Sequence, residues 1–150
     1  MSHRLHHTSF TVSDVEAAER FFIENFGMKR LGGGLYEFDY IREIVGFADA
    51  ALKISVLGFP DSAANAHKLE LIEYTAPRAE PVPTTTCRPG AAHLCFEVAD
   101  IHAEYERLRA RGVKFTSAPV EVIYGINRGA WAVYFKGPDG IALELFQSPK

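Results

Sequence analysis

The feature that most constrains this chain is an internal repeat. The eight residues that begin at His7 read HTSFTVSD, and the eight that begin at His93, 86 positions later, read HLCFEVAD. Histidine, phenylalanine, valine and aspartate agree in register. A second segment is repeated further on, because Leu-Glu-Leu surrounds both Glu70 and Glu144. Several matches in the same order are improbable by chance, so the sequence predicts one structural unit present in two copies.

Each copy has the pattern of four strands and one helix. The first strand alternates, with Phe10 on its apolar face and His7 on the other. A Ser13-Asp-Val-Glu16 capping box then predicts the start of a helix, and Gly27 predicts its left-handed end. The other predicted elements are strands near 33–39, 51–58 and 68–74 in the first copy, and in the second copy a strand at 92–98, a helix at 100–111 and strands near 120–125, 130–136 and 141–147.

The repeat also predicts the domain organisation. We expect an α+β fold of two βαβββ modules, the first over about 5–75 and the second over about 91–148. Residues 76–90 between them contain four prolines and are predicted to form an extended linker. Neither module is expected to bury enough surface to be stable alone, so the 150 residues are predicted to form a single domain.

Strand alternation predicts a common direction for four polar side chains. In the first strand of each copy, His7 and His93 point away from the helix-facing apolar residues. In the last strand of each copy, the flanking leucines face the helix, so Glu70 and Glu144 point the other way. A half-buried carboxylate is costly unless it is paired or bound to a metal, and one divalent cation could satisfy both imidazoles and both carboxylates. The alternative for any one of them alone is an ordinary polar or ion-paired residue.

These residues carry a resemblance to a known family. Four segments of the chain resemble the vicinal oxygen chelate superfamily. They are His7-Thr with Val12 and Asp14, the Leu-Glu-Leu around Glu70, His93 with Val98 and Asp100, and the segment Gly-Pro-Asp-Gly-Ile-Ala-Leu-Glu144-Leu. This superfamily includes glyoxalase I, methylmalonyl-CoA epimerase, extradiol dioxygenases and fosfomycin or bleomycin resistance proteins. The resemblance implies paired modules that form an open, barrel-like cup around a divalent metal. It also implies that the metal ligands are His7, Glu70, His93 and Glu144.

A site with two histidines and two glutamates leaves two open positions on an octahedral ion. The ligands suit Mg, Mn, Fe(II), Co, Ni or Zn and do not choose among them. A substrate with vicinal oxygens, or an acyl-CoA or other carbonyl compound, could occupy the open positions. The ion would then stabilise the charge that develops when a proton is lost next to the carbonyl.

The resemblance also suggests which residues move the proton. By analogy with epimerase and glyoxalase, Glu144 is the candidate general base. Glu43 is the candidate for a second base on the opposite face of the substrate, and the alternative is that it is a solvated surface residue. Trp131 and Tyr134 lie on one strand with opposite parity, so only one of them can face the site.

Differences between this sequence and known family members limit the activities that can be expected of it. Glyoxalase I sequences that resemble this one have an arginine and an asparagine for glutathione where this chain has Thr11 and Tyr74. Extradiol dioxygenases usually have four modules and a triad of two histidines and one carboxylate. We therefore expect an isomerase or lyase, most like methylmalonyl-CoA epimerase. A glyoxalase I-like lyase, an extradiol-type dioxygenase and a non-catalytic binding or resistance module remain as alternatives.

Composition and charge argue against several other classes of protein. The net charge is −3 and the charges are interspersed, so no nucleic-acid partner is expected. No apolar run approaches the length of a membrane span, and the first ten residues lack the apolar core of a signal peptide. Cys87 and Cys95 form no CxxC pair, which favours a reducing cytoplasm. The family resemblance adds the expectation of a homodimer.

Overall fold

A computed structural model describes residues 3–149, so positions 1, 2 and 150 of the expected domain lie outside the described residues. The chain divides between Pro81 and Val82 into two compact units. The first unit contains, in chain order, β1 (His7–Thr11), α1 (Val15–Phe26), β2 (Lys29–Tyr36), α2 (Asp39–Val45), β3 (Ala51–Gly58) and β4 (Lys68–Ala76). The second unit contains β5 (His93–Glu97), α3 (Ile101–Ala110), β6 (Val120–Glu121), β7 (Trp131–Lys136) and β8 (Ala142–Gln147).

Each unit is built on a four-stranded sheet with the same strand order. In the first unit the order is β1-β4-β3-β2, and in the second it is β5-β8-β7-β6. The first strand of each unit pairs in parallel with the last, and the remaining pairs are antiparallel. The predicted α+β class with two βαβββ modules is therefore confirmed. In this arrangement the first and last strands of a unit, which carry the repeated histidine and glutamate, are hydrogen-bonded neighbours.

One helix was not predicted from the sequence. Helix α2 lies in the connection between β2 and β3, just after the strand that the sequence predicted near 33–39. Its N-cap, Phe38, makes no side-chain hydrogen bond to the helix, and only Ile41 of its seven residues is buried. The helix therefore lacks the polar N-cap that signals a helix start in a sequence. The predicted strand instead lies earlier, at Lys29–Tyr36, and β6 is only two residues long.

The start of α1 also differs from the prediction. Asp14, not Ser13, is the N-cap residue, and its Oδ1 atom accepts a hydrogen bond from the backbone N–H of Ala17 at 2.8 Å. The predicted capping box of Ser13 and Glu16 is wrong, because Ser13 lies one residue too early. The Glu16 carboxylate instead pairs with the ammonium group of Lys53 at 3.3 Å. The predicted end of the helix is confirmed, since Gly27 has a φ of 66°.

The cap at Asp14 predicts an acid-dependent contribution to stability. The hydrogen bond from the Ala17 backbone is the largest cause that lowers the pKa of the Asp14 carboxyl in the folded state. A lowered pKa means that this contribution is present above the ordinary aspartate pKa and is lost as the pH falls below it. We expect Asp14→Ala to reduce the free energy of unfolding at pH 7, with the difference from the unsubstituted protein shrinking below about pH 4.

Urea unfolding at a series of pH values measures this difference. Asp61→Ala is the matched control, because it removes an exposed carboxylate that lies outside the helices. A difference between Asp14→Ala and the unsubstituted protein that stays constant from pH 7 to pH 3 would contradict the role of Asp14 as a charged cap.

The core of each unit lies between its sheet and its first helix. Helix α1 contacts β3 and β4, and α3 contacts β8. Phe22 of α1 and Leu71 of β4 are fully buried in the first unit, as are Leu108 of α3 and Leu145 of β8 in the second. The alternation of β4 and β8 therefore places leucines toward the helices and leaves Glu70 and Glu144 on the opposite sheet faces.

A glycine in β2 is required by close backbone contact. Gly33 has a φ of +125°, and a Cβ atom there would lie 2.0 Å from the carbonyl oxygen of Ile54. We expect Gly33→Ala to lower the free energy of unfolding by about 3 kcal/mol, because it adds backbone strain to a steric clash. The neighbouring Gly32→Ala is the control, since a Cβ at Gly32 meets no atom within 4 Å. Equal urea midpoints for the two variants would contradict this assignment.

Candidate metal centre

The first unit brings one histidine and one glutamate together on the sheet face opposite α1. His7 begins β1 and Glu70 lies in β4, which pairs with β1 in parallel, so that Ser9 is the register partner of Glu70. The Nε2 atom of His7 lies 3.6 Å from Oε2 of Glu70. The side chains are 43% and 23% exposed, respectively, so both the imidazole and the carboxylate remain accessible.

The second unit repeats this pair with closer geometry. His93 begins β5 and Glu144 lies in β8, where Cys95 is its register partner. The Nε2 atom of His93 lies 3.1 Å from Oε2 of Glu144. The His93 side chain is 41% exposed and that of Glu144 only 13%. The duplicated sequence therefore produces two equivalent pairs, of which the second has the more buried carboxylate.

The donor atoms of each pair fit a divalent cation. An imidazole nitrogen and a carboxylate oxygen that lie within 4 Å of each other are suitable neighbouring ligands for a borderline ion such as Zn, Fe(II), Co or Ni. Both atoms can bind such an ion without any movement of the strands, because the sheet already holds them side by side. Binding of one ion by His7, Glu70, His93 and Glu144 together stays a prediction.

Tyr134 lies beside the second pair. Tyr134 in β7 is the register partner of Glu144 in β8. The Tyr134 hydroxyl is 3.3 Å from Nε2 of His93, and the two rings meet edge to face with their centroids 5.1 Å apart. Burial is the main cause that raises the pKa of the Tyr134 phenol, and the negative charge of Glu144 and a hydrogen bond to it contribute. The phenol is therefore a neutral hydrogen-bond donor at this site.

The thiol of Cys95 contacts the same carboxylate from the other side. Desolvation, followed by the charge of Glu144 and a hydrogen bond to it, raises the pKa of Cys95 to about 12. Cys95 is thus a protonated thiol at neutral pH. Glu144 accordingly has a phenol on the β7 side and a thiol on the β5 side.

The corresponding neighbours of Glu70 are different. Val56 of β3 occupies the register position that Tyr134 has in the second unit, and Ser9 of β1 occupies that of Cys95. The valine has no polar atom in its side chain, so it cannot donate a hydrogen bond to the Glu70 carboxylate. The two glutamates therefore occupy equivalent positions in the last strands of their units but have different surroundings.

Of the two aromatic candidates on β7, Tyr134 is the one on the histidine face. Trp131 instead contacts His102 of α3, with ring centroids 4.7 Å apart, so it lies on the helix side of the sheet. The sequence showed that the two residues have opposite parity but did not choose between them. The register of β7 against β8 decides the choice.

The predicted second base, Glu43, lies on α2. Its side chain is exposed, and the neighbouring Arg42 forms an ion pair with Asp39 at 2.9 Å. The structure places Glu43 on a short helix of the first unit rather than on a strand of the sheet. Its role in proton transfer stays a prediction.

One acidic cluster lies apart from the repeated pairs. Within residues 3–149, Asp14, Glu16 and Glu73 are the only three histidine, cysteine, aspartate or glutamate side chains whose ligand atoms lie within 4.8 Å of one another. Asp14 caps α1, and Glu73 accepts a hydrogen bond from the backbone N–H of Val15 at 3.2 Å. Lys53 pairs with Glu16 and Glu73 at 3.3 and 3.7 Å. These contacts explain the cluster as the polar start of a helix.

In the part of the chain that the structure describes, no helix combines the length and the apolar character needed to cross a bilayer.

Comparisons with known proteins agree with the fold and identify the family. A family model described as Glyoxalase/Bleomycin resistance protein/Dioxygenase superfamily matches residues 4–145. A 2-epi-5-epi-valiolone epimerase from an Actinomyces species is 32% identical over 149 residues, covering 97% of this chain and 79% of the relative. Glyoxalase I from Saccharomyces cerevisiae is 29% identical over 147 residues, covering 94% of this chain and 44% of the yeast protein.

A solved structure gives the same result for the fold. A glyoxalase family protein from Bacillus cereus superposes with a TM-score of 0.81 at 23% sequence identity, covering 98% of this chain and 95% of that one. The similarity extends over both units of the chain.

Proposed function

Because the chain belongs to the Glyoxalase/Bleomycin resistance protein/Dioxygenase superfamily, as its repeated motifs predicted, we propose that it is a divalent-metal-dependent epimerase. The reaction would move a proton at the carbon next to a carbonyl group. The main support is the duplicated pair, with histidine nitrogen and glutamate oxygen 3.6 Å apart in one unit and 3.1 Å apart in the other. The Actinomyces epimerase, at 32% identity, supports this choice among the reactions of the superfamily.

The proposal assigns the binding of the ion to four side chains. His7 and Glu70 would contribute one imidazole and one carboxylate, and His93 and Glu144 would contribute the others. When bound, a divalent ion such as Ni, Co, Mn, Zn, Fe or Mg supplies Lewis-acid stabilisation of negative charge on a substrate oxygen. Substrates would be small molecules with vicinal oxygens, or an acyl-CoA or other carbonyl compound.

The proposal assigns proton transfer to two glutamates. Glu144 would take the proton from the carbon next to the carbonyl, because its carboxylate is 13% exposed and is held beside His93. Epimerisation requires a second group that returns a proton to the opposite face, and we assign this role to Glu43. The side chain of Glu43 on α2 is exposed, which leaves its carboxylate accessible.

Two further properties belong to this proposal. A reducing cytoplasmic location is supported by Cys87 and Cys95, which are both free thiols. A homodimer is supported by the family resemblance. Sedimentation equilibrium of the purified protein would show twice the chain mass for a dimer, and the mass of a single chain would overturn this part of the proposal.

Exchange of substrate protons with solvent tests the proposed reaction. The protein, loaded with Co²⁺, is incubated in D₂O with 2-epi-5-epi-valiolone or with methylmalonyl-CoA, and deuterium at the carbon next to the carbonyl is measured by NMR. We expect catalysed incorporation together with inversion at that carbon for at least one of the two substrates. Neither incorporation nor inversion with both compounds would overturn the assignment to this class of epimerase.

Two parallel assays separate the alternatives. A glyoxalase I-like lyase would consume the adduct of methylglyoxal and glutathione, and an extradiol-type dioxygenase would consume oxygen in the presence of a catechol. Turnover in either assay without exchange in D₂O would replace the proposed reaction by the corresponding one. Tight ligand binding without turnover in any assay would indicate a binding module.

A further inference from the structure

We propose that Tyr134 is a positioning residue that holds the Glu144 carboxylate in a fixed orientation, and that this makes the two repeated glutamates unequal in function. Glu144 would be held in place for proton transfer, while Glu70 would serve mainly as a ligand. This inference rests on the proposed function for the role of Glu144 as a base. It goes beyond that function, because it assigns a task to a residue outside the repeated quartet.

The strand register brings the tyrosine to the carboxylate. Tyr134 and Glu144 are direct partners in the antiparallel pair of β7 and β8, so both side chains project from the same sheet face. The ring of Tyr134 is fixed in turn by its edge-to-face contact with His93. The Tyr134 hydroxyl and Oε2 of Glu144 lie 3.3 and 3.1 Å from the same atom, Nε2 of His93, so the hydroxyl is held close to the carboxylate.

Simple hydrogen-bond chemistry favours the Glu144 carboxylate as the acceptor of the Tyr134 hydroxyl proton. A phenol carries one proton, and two groups lie near it, the Nε2 atom of His93 and the carboxylate of Glu144. The carboxylate accepts hydrogen bonds in its charged form whatever the tautomer of the ring. An Nε2 atom that binds a cation has no free lone pair to accept the proton, so the hydrogen bond to Glu144 is compatible with an ion on His93.

The first unit lacks this arrangement. Val56 occupies the position that corresponds to Tyr134, and the carboxylate of Glu70 is more exposed than that of Glu144, at 23% against 13%. The duplication therefore preserved the ligand types in both copies, while only the second copy has a phenol beside its glutamate. A general base must lie within hydrogen-bond reach of the proton that it takes, so the copy with the fixed carboxylate is the better suited to act as a base.

The first arm of the test measures the reaction of Tyr134→Phe, which removes the hydroxyl and keeps the ring. In the D₂O exchange assay with the Co²⁺-loaded protein, we expect kcat to fall about 10- to 100-fold with KM changed less than threefold. Tyr124→Phe is the matched control, because Tyr124 lies in the same unit and is 89% exposed. Unchanged kcat in Tyr134→Phe, in a protein that catalyses exchange, would overturn the inference.

The second arm does not depend on activity. A double-mutant cycle of Tyr134→Phe and Glu144→Gln, measured by urea unfolding of the metal-free protein, should give non-additive losses of stability because the two side chains interact directly. The cycle of Tyr134→Phe with Glu106→Gln, on the surface of α3, should be additive. Additivity in both cycles would overturn the inference. Absence of exchange activity in the unsubstituted protein would instead overturn the proposed function and leave the cycle to decide whether Tyr134 positions Glu144.

Discussion

Replacement of Glu144 by glutamine is expected to reduce solvent-proton exchange about 1,000-fold or more. Glutamine keeps the size of the side chain but cannot accept a proton, and loss of a general base typically costs 10²- to 10⁴-fold in rate. Removal of the charge also weakens a ligand of the ion. Both effects act on one carboxylate, which is the more buried of the two repeated glutamates.

The rate of deuterium incorporation under saturating Co²⁺ measures this effect. Glu106→Gln is the control, because Glu106 lies on α3, is 60% exposed and pairs only with a surface arginine among the contacts that the structure describes. Circular dichroism and the urea midpoint establish that both variants are folded. A Glu144→Gln protein that exchanges protons at more than a tenth of the original rate would contradict the role of Glu144 as the base.

Replacement of His93 by alanine is expected to weaken binding of Co²⁺ or Zn²⁺ by more than about 100-fold. Mutation of groups that only support metal ligands typically costs 10- to 100-fold in affinity, and removal of a ligand atom itself should cost more. The Nε2 atom of His93 lies 3.1 Å from the Glu144 carboxylate, so the variant also loses the neighbour that holds this carboxylate in place.

Competition against a chromophoric chelator measures the affinity. His102→Ala is the matched control, because His102 lies in the same unit but contacts Trp131 on the helix side of the sheet. We expect it to bind the ion as tightly as the unsubstituted protein. Equal affinity in His93→Ala and His102→Ala would contradict the assignment of His93 as a ligand.

The sequence predicted the pairs because strand alternation and repetition determine them. The leucines on either side of Glu70 and Glu144 must face a helix, and this requirement fixes the direction of the glutamates. The parallel pairing of the first and last strands in each unit then places His7 beside Glu70 and His93 beside Glu144. No detail of side-chain packing was needed for this result.

Other features depend on information that a single sequence does not contain. Helix α2 was not predicted, since Phe38 is not a polar cap and the helix is only seven residues long. The helix start was misplaced by one residue, because Ser13 and Asp14 are both good caps and only the backbone conformation distinguishes them. Tyr134 was separated from Trp131 only by the register of β7 against β8, which depends on the turn between them.

We propose that the two repeated pairs share one ion. The most direct test measures the metal content of tag-free protein by mass spectrometry after equilibration with Co²⁺ and removal of excess. One variant carries His7→Ala with Glu70→Gln, and another carries His93→Ala with Glu144→Gln. We expect one ion per chain in the unsubstituted protein and less than a tenth of that in either variant. One full ion retained by each variant, or no ion in the unsubstituted protein, would contradict it.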